Sequence, residues 1–166
     1  MTGGWTEEQL ITSGKEEDKF GFSVSQTPDA KRLMIGAPYS NSESGMAYLF
    51  SRFNISSTFQ LVEGSGSSSL EGVESLDRLG MSVSLALNGK RFVVGSPGRG
   101  KRQGEQYGSA IVCEVEEKED GSTTILLSNE IFGDANQDFG RSVLLNGNGT
   151  MVVIGAPSVG IVQGYT

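Results

Sequence analysis

Phe20-Gly21-Phe22-Ser23-Val24-Ser25 is spelled again as Leu79-Gly80-Met81-Ser82-Val83-Ser84, and a third time as Phe139-Gly140-Arg141-Ser142-Val143-Leu144. Each copy leads into an apolar run that closes on Gly, a small residue and Pro. These runs are Leu33-Met34-Ile35-Gly36-Ala37-Pro38, Phe92-Val93-Val94-Gly95-Ser96-Pro97 and Val152-Val153-Ile154-Gly155-Ala156-Pro157. From Gly36 to Gly95 is 59 residues and from Gly95 to Gly155 is 60, and the leading glycines Gly21, Gly80 and Gly140 keep the same step. A fixed period of this size marks a repeat architecture, in which each unit buries its apolar faces against its neighbours.

Within a repeat the apolar runs last four to six residues and are bounded by turn residues, which favours strands over helices. In the middle copy the pattern predicts strands over 81–87, 91–95, 109–116 and 123–128. Asn88-Gly89 supplies a two-residue hairpin turn and Asp120-Gly121 another. The first copy repeats this over 22–26, 32–36, 46–50 and 58–62, with its first turn through Thr27-Pro28-Asp29-Ala30. In the third the turn is Asn146-Gly147-Asn148-Gly149, and a third strand starts at Gly164. Four antiparallel strands per 60 residues make one propeller blade. The expected fold is therefore all-β, with about three blade equivalents in one segment over 1–166. Residues 1–19 hold the fourth strand of a preceding blade (5–12), 20–78 repeat 1, 79–138 repeat 2 and 139–166 a truncated repeat 3.

Composition excludes several functions. Thirteen Lys and Arg against 20 Asp and Glu leave a net charge of −7, which repels nucleic acid and anionic lipid. No apolar stretch approaches the length that crosses a bilayer, and the first residues carry neither a basic nor an apolar leader. The chain has no histidine, so histidine triads and histidine metal sites are excluded. Gly64-Ser65-Gly66-Ser67-Ser68 lacks the lysine of a phosphate loop. The single cysteine, Cys113, is expected as a small buried side chain on a strand.

The Phe-Gly pair, the strand closing on Gly-Ala-Pro and the glycine opening a third strand (Gly45 in Gly45-Met46-Ala47-Tyr48, Gly108 in Gly108-Ser109-Ala110-Ile111) together resemble the FG-GAP repeat of integrin alpha chains. Leu79 and Ser96 replace the usual Phe and Ala in the middle copy. The resemblance implies a β-propeller, usually of seven blades, whose loops bind proteins or glycans in adhesion outside the cell or facing a lumen. The family's calcium sites do not carry over, because the loops 26–31, 88–90 and 146–150 hold at most one carboxylate each.

No cofactor is expected. Asp134, Asn136 and Asp138 alternate oxygen donors, but Phe139 stands where a calcium loop needs glycine, and an inter-blade turn accounts for them. Asp18 and Asp77, ahead of the other copies, support the turn. Asn54 and Asn148 head N-glycosylation triplets. The candidate ligand loops are 39–44 and 97–106, with Tyr39, Tyr107 and the basic residues Arg99, Lys101 and Arg102, which suit an acidic partner or a sugar or are simply solvated. The expected function is a non-catalytic binding or adhesion module. The alternatives are a scaffold, or the propeller part of a larger enzyme, a hydrolase such as a phospholipase, with its catalytic residues elsewhere. The expected partners are a protein or glycan ligand and either further blades of a longer chain or a second copy completing a six-bladed ring. Nucleic acid and direct membrane insertion are not expected.

Overall fold

The computed structural model describes residues 6–13, 15–62, 69–100, 106–119 and 122–166. Among them, twelve strands form three antiparallel sheets, one per repeat. The first sheet holds β1 (Ser23–Gln26), β2 (Arg32–Ala37) and β3 (Met46–Ser51). Its fourth position, beside β3, is shared by β4 (Gln60–Leu61) and β5 (Ser69–Glu71). The second runs in order through β6 (Ser82–Leu85), β7 (Arg91–Ser96), β8 (Ser109–Glu117) and β9 (Thr123–Phe132). The third holds β10 (Ser142–Leu145), β11 (Val152–Ala156) and β12 (Ile161–Tyr165). Register repeats with the sequence: Ser23 lies opposite Gly36, Ser82 opposite Gly95 and Ser142 opposite Gly155.

The sheets stack face to face. Met34 and Leu49 of the first sheet share a core with Val83, Phe92, Val94 and Cys113 of the second. The second sheet's opposite face puts Val93 and Ala110 against Phe139, Ile154 and Ala156. Position in the stack, not local sequence, sets burial. In the matching Ser-Val-Ser stretches, Val83 lies between two sheets and is 9% exposed, while Val24 on the open face of the first is 62% exposed. Removing such a side chain from water contributes about 1.5–3 kcal/mol, so the stacking of blades is a main source of stability.

The repeated polar residues stitch one blade to the next. Ser23 donates its hydroxyl to the Gly80 carbonyl at 2.8 Å, and Ser82 does the same to Gly140 at 2.9 Å. Ser25 and Ser84 accept the N–H groups of Leu85 and Leu145, each at 3.0 Å. Arg32 and Arg91 reach across to the turn carbonyls of Gly89 and Gly149. The motif glycines meet at the same seam: a Cβ on Gly36 would overlap the Gly80 carbonyl oxygen, and one on Gly95 that of Gly140. Gly80 and Gly140 hold φ of +89° and +87°, a conformation only glycine adopts cheaply. In the third copy Leu144 and Met151 stand where the serine and arginine stand in the others.

Four expectations need correction. Of the strand predicted over 5–12, residues 6–12 carry no ladder. Instead the Gln9 side chain accepts from the Phe59 N–H at 2.8 Å and donates to its carbonyl at 3.3 Å, while Glu8 pairs with Arg52. The fourth strand of repeat 1 is split into β4 and β5. β9 runs on to Phe132 because Ser128 forms a bulge between Asn129 and Leu127, which puts Ile125 and Ile131 on opposite faces although both are odd-numbered. In repeat 3 the third strand opens at Ile161, after Gly160 at φ +68°, rather than at Gly164. Trp5, the 64–68 stretch and the Asp120-Gly121 turn lie outside the described residues.

Cys113 sits in the first core as expected, and burial pushes its thiol up to about 12 from 9.0. Only the thiolate reacts, so at pH 8 the native protein should label with a disulfide reagent about a thousandfold more slowly than the unfolded chain. The raised pKa also means that the stabilisation is complete below pH 9 and declines as pH rises toward 12. Fast labelling of the native protein, or a melting temperature flat from pH 8 to 11, would contradict this placement.

Candidate functional site

Antiparallel order sends the loops joining second and third strands, and the links between blades, to one face, here the upper. The hairpin turns joining first to second and third to fourth strands occupy the lower face. Of the sequence-predicted ligand residues, Tyr39, Arg99 and Tyr107 lie on the upper face, and Lys101 and Arg102 lie outside the described residues.

The half-buried Tyr39 begins the loop after β2. Its ring centroid is 6.3 Å from that of Phe22, and the Arg78 guanidinium lies over the ring at 5.8 Å. Arg78 is oriented by Glu43, with Nε and Nη2 each 2.9 Å from Oε2. The next residues, Asn41, Ser42 and Glu43, form a left-handed turn with φ of +50°, +59° and +65°. For residues with a Cβ this conformation costs about 1–2 kcal/mol each, so neighbouring groups must hold it. The Arg78 N–H donates to the Glu43 carbonyl at 2.9 Å, the Ser75 hydroxyl to that of Ser42 at 2.8 Å, and the Asn41 amide to Glu71 at 2.7 Å. The inter-blade link thus clamps the loop. Phe22 and Arg78 escaped the sequence reading; the available signal was that Arg78 directly precedes the Leu-Gly pair.

Arg99 is not a solvated loop charge. Its Nε donates to Glu130 at 3.0 Å and its Nη1 lies 3.4 Å from the carboxylate of Asp77, which is 1% exposed. Burial opposes its charge, but the hydrogen bond to Glu130, with the charges of Glu130, Asp77 and Glu74, outweighs this and raises its pKa. Asp77 also accepts the N–H groups of Val73 and Glu74 at 3.0 and 2.9 Å, and its carbonyl accepts from Ser96 and Gly98. Tyr107 is half-buried just before Gly108 and β8.

The Asp134, Asn136 and Asp138 side chains serve the third inter-blade link. Asp134 accepts from Gln137 at 3.2 Å and Asp138 from Ser158 at 2.7 Å, and Asn136 sits at φ +59°. The counterpart of Asp18 and Asp77 is Gln137, not Asp138: its side-chain oxygen faces the Asp134 N–H at 3.3 Å, as Asp77 faces Glu74. Among the described residues no three Cys, Asp or Glu converge as a metal site. Asn54 and Asn148 are exposed in lower-face turns, where Asn54 accepts from Ser56 and Asn148 from Thr150.

Antiparallel sheets of this connectivity, stacked face to face at a period of 59 to 60 residues, are blades of a β-propeller. The profile of the FG-GAP repeat family matches residues 5–50, covering the first Phe-Gly pair, Gly36-Ala37-Pro38 and most of β3, and so supports reading this stretch as an FG-GAP repeat. No curated protein matches the chain. Among the described residues no helix is long and apolar enough to cross a membrane.

Proposed function

We propose that the chain is a non-catalytic binding module, acting in adhesion outside the cell or facing a lumen, that recognises a protein or glycan through its upper-face loops. The observation carrying this reading is the Phe22, Tyr39 and Arg78 cluster beside the left-handed turn. Aromatic rings with an arginine are the groups that most often anchor recognition, and here they stand on a clamped loop over a packed scaffold. A loop held in advance loses little entropy on binding. The test is a screen of the purified chain against immobilised glycans and secreted proteins, repeated with Tyr39→Ala. We expect bound ligands to be lost by tenfold or more with that variant while the melting temperature changes little. Ligands that bind the variant equally well would place recognition elsewhere.

A further inference from the structure

A second surface lies on the lower face, independent of the loops above. A cleft of about 960 Å³ opens between the hairpin tips of the first and second blades, and one of about 470 Å³ follows between the second and third. The two share Asn88, Lys90, Val115 and Glu116, so they form one groove crossing three blades. Its charge runs against that of the chain. The larger cleft is lined by five of the thirteen cationic residues, Lys31, Arg32, Arg52, Lys90 and Lys118, but by only three of the twenty acidic ones.

Those three acids offset it only in part. Asp29 accepts from the Thr27 hydroxyl at 2.6 Å and the Lys31 N–H at 3.0 Å, bonds that hold its carboxylate charged beside Lys31 and Arg32. Glu117 is taken by Arg32, leaving Glu116. Arg52 is committed to Glu8 and to the carbonyls of Ala30 and Ile55. Lys31, Lys90 and Lys118 are exposed, and among the described residues none has a carboxylate within 4.0 Å. Three unpaired ammonium groups around one recess attract anions, and the acidic remainder of the surface confines that attraction to the recess.

We propose that this groove binds an anionic polysaccharide carrying sulfate or carboxylate groups. The groove runs from one blade seam to the next, which suits a chain-like ligand with repeating charge. Its walls offer polar side chains, Asn88, Thr123 and Asn148, and the exposed Phe53 ring gives a sugar face a stacking surface. An acidic peptide would use apolar pockets for alternate side chains, and the walls offer few. The discriminating experiment titrates the full chain with dextran sulfate, neutral dextran and poly-glutamate in low salt. We expect dextran sulfate to bind, neutral dextran not to bind, and poly-glutamate to bind at least tenfold more weakly. Lys31→Gln, Lys90→Gln and Lys118→Gln together should weaken dextran sulfate at least tenfold and flatten its salt dependence, while Lys15→Gln changes nothing. If the triple variant melts early, Lys90→Gln alone should still weaken binding about threefold. No binding of dextran sulfate, or equal binding by these variants, would overturn the proposal. Poly-glutamate binding as tightly would replace the polysaccharide with an acidic peptide.

Discussion

Gly95→Ala should lower the stability of the fold by about 3 kcal/mol or more, at the upper end of overpacking costs, because its methyl meets backbone rather than a side chain that can turn away. The added Cβ would overlap the Gly140 carbonyl oxygen of the next blade, the same oxygen that accepts the Ser82 hydroxyl. Relief requires the second and third sheets to separate, which exposes Val93, Phe139 and Ile154 together. Gly36→Ala should behave alike, through the Gly80 carbonyl. Gly155→Ala is the internal control. It has the same motif position and the same register partner, but the three atoms nearest its added Cβ all belong to Ser142, the closest being the rotatable hydroxyl, so the cost should stay below about 1 kcal/mol. Chemical denaturation of the three variants reads the difference directly. Equal losses at Gly95 and Gly155 would show that the glycine serves its own strand rather than the seam.

That contrast also indicates what a sequence of this kind discloses. The period, the blade and the register of first and second strands were legible because Ser-x-Ser and Gly-small-Pro recur in step, and repetition reports local structure three times over. Crowding at the leading glycines was foreseen as well, but its partner was not: the closing glycine of the preceding blade lies 44 residues before Gly80, and no local pattern links the two. The sequence pattern of β9 stops at Ser128 because a bulge there breaks the alternation that defines a strand. The start of β12 is hidden because Gly160 closes a four-residue turn, where the other copies use longer loops.

The candidate sites were less legible for a related reason. On sequence Arg99 is a candidate ligand contact or a solvated loop charge, since nothing near it shows that Asp77 and Glu130, 22 and 31 residues away, converge on it. The lower groove draws on Lys31, Lys90 and Lys118, which come together only when the first two blades stack. A seam between repeats is created by stacking, so residues that act across it carry no motif of their own. The upper-face cluster follows the same rule, with Phe22 and Tyr39 from one blade and Arg78 from the link to the next.

Asp77→Ala should be the most damaging of the polar substitutions, at about 3–5 kcal/mol, because one side chain closes three connections. Its carboxylate caps the N–H groups of Val73 and Glu74 and faces Arg99, while its backbone carbonyl holds the Ser96 hydroxyl and the Gly98 N–H. Truncation leaves two amides of the inter-blade link without acceptors and removes one of the two carboxylates on Arg99. Asp77→Asn separates these effects. Both N–H groups donate to the same Asp77 oxygen, so the amide oxygen can still accept both; the variant should recover the capping share of the loss, and the remainder measures the charge. Arg99→Ala provides the cross-check. If the pair acts as a unit, Asp77→Ala combined with Arg99→Ala should cost clearly less than the two single losses added, since the partner left stranded by either change is then gone. Strict additivity would mean that Asp77 works as a cap alone and that Arg99 depends only on Glu130. Either way the consequence reaches the upper face: the 72–78 link that Asp77 folds is the one whose Ser75 and Arg78 clamp the left-handed turn. Loss of the cap should therefore loosen the Tyr39 loop before the sheets themselves come apart, visible as early hydrogen exchange at residues 40–45 in Asp77→Ala.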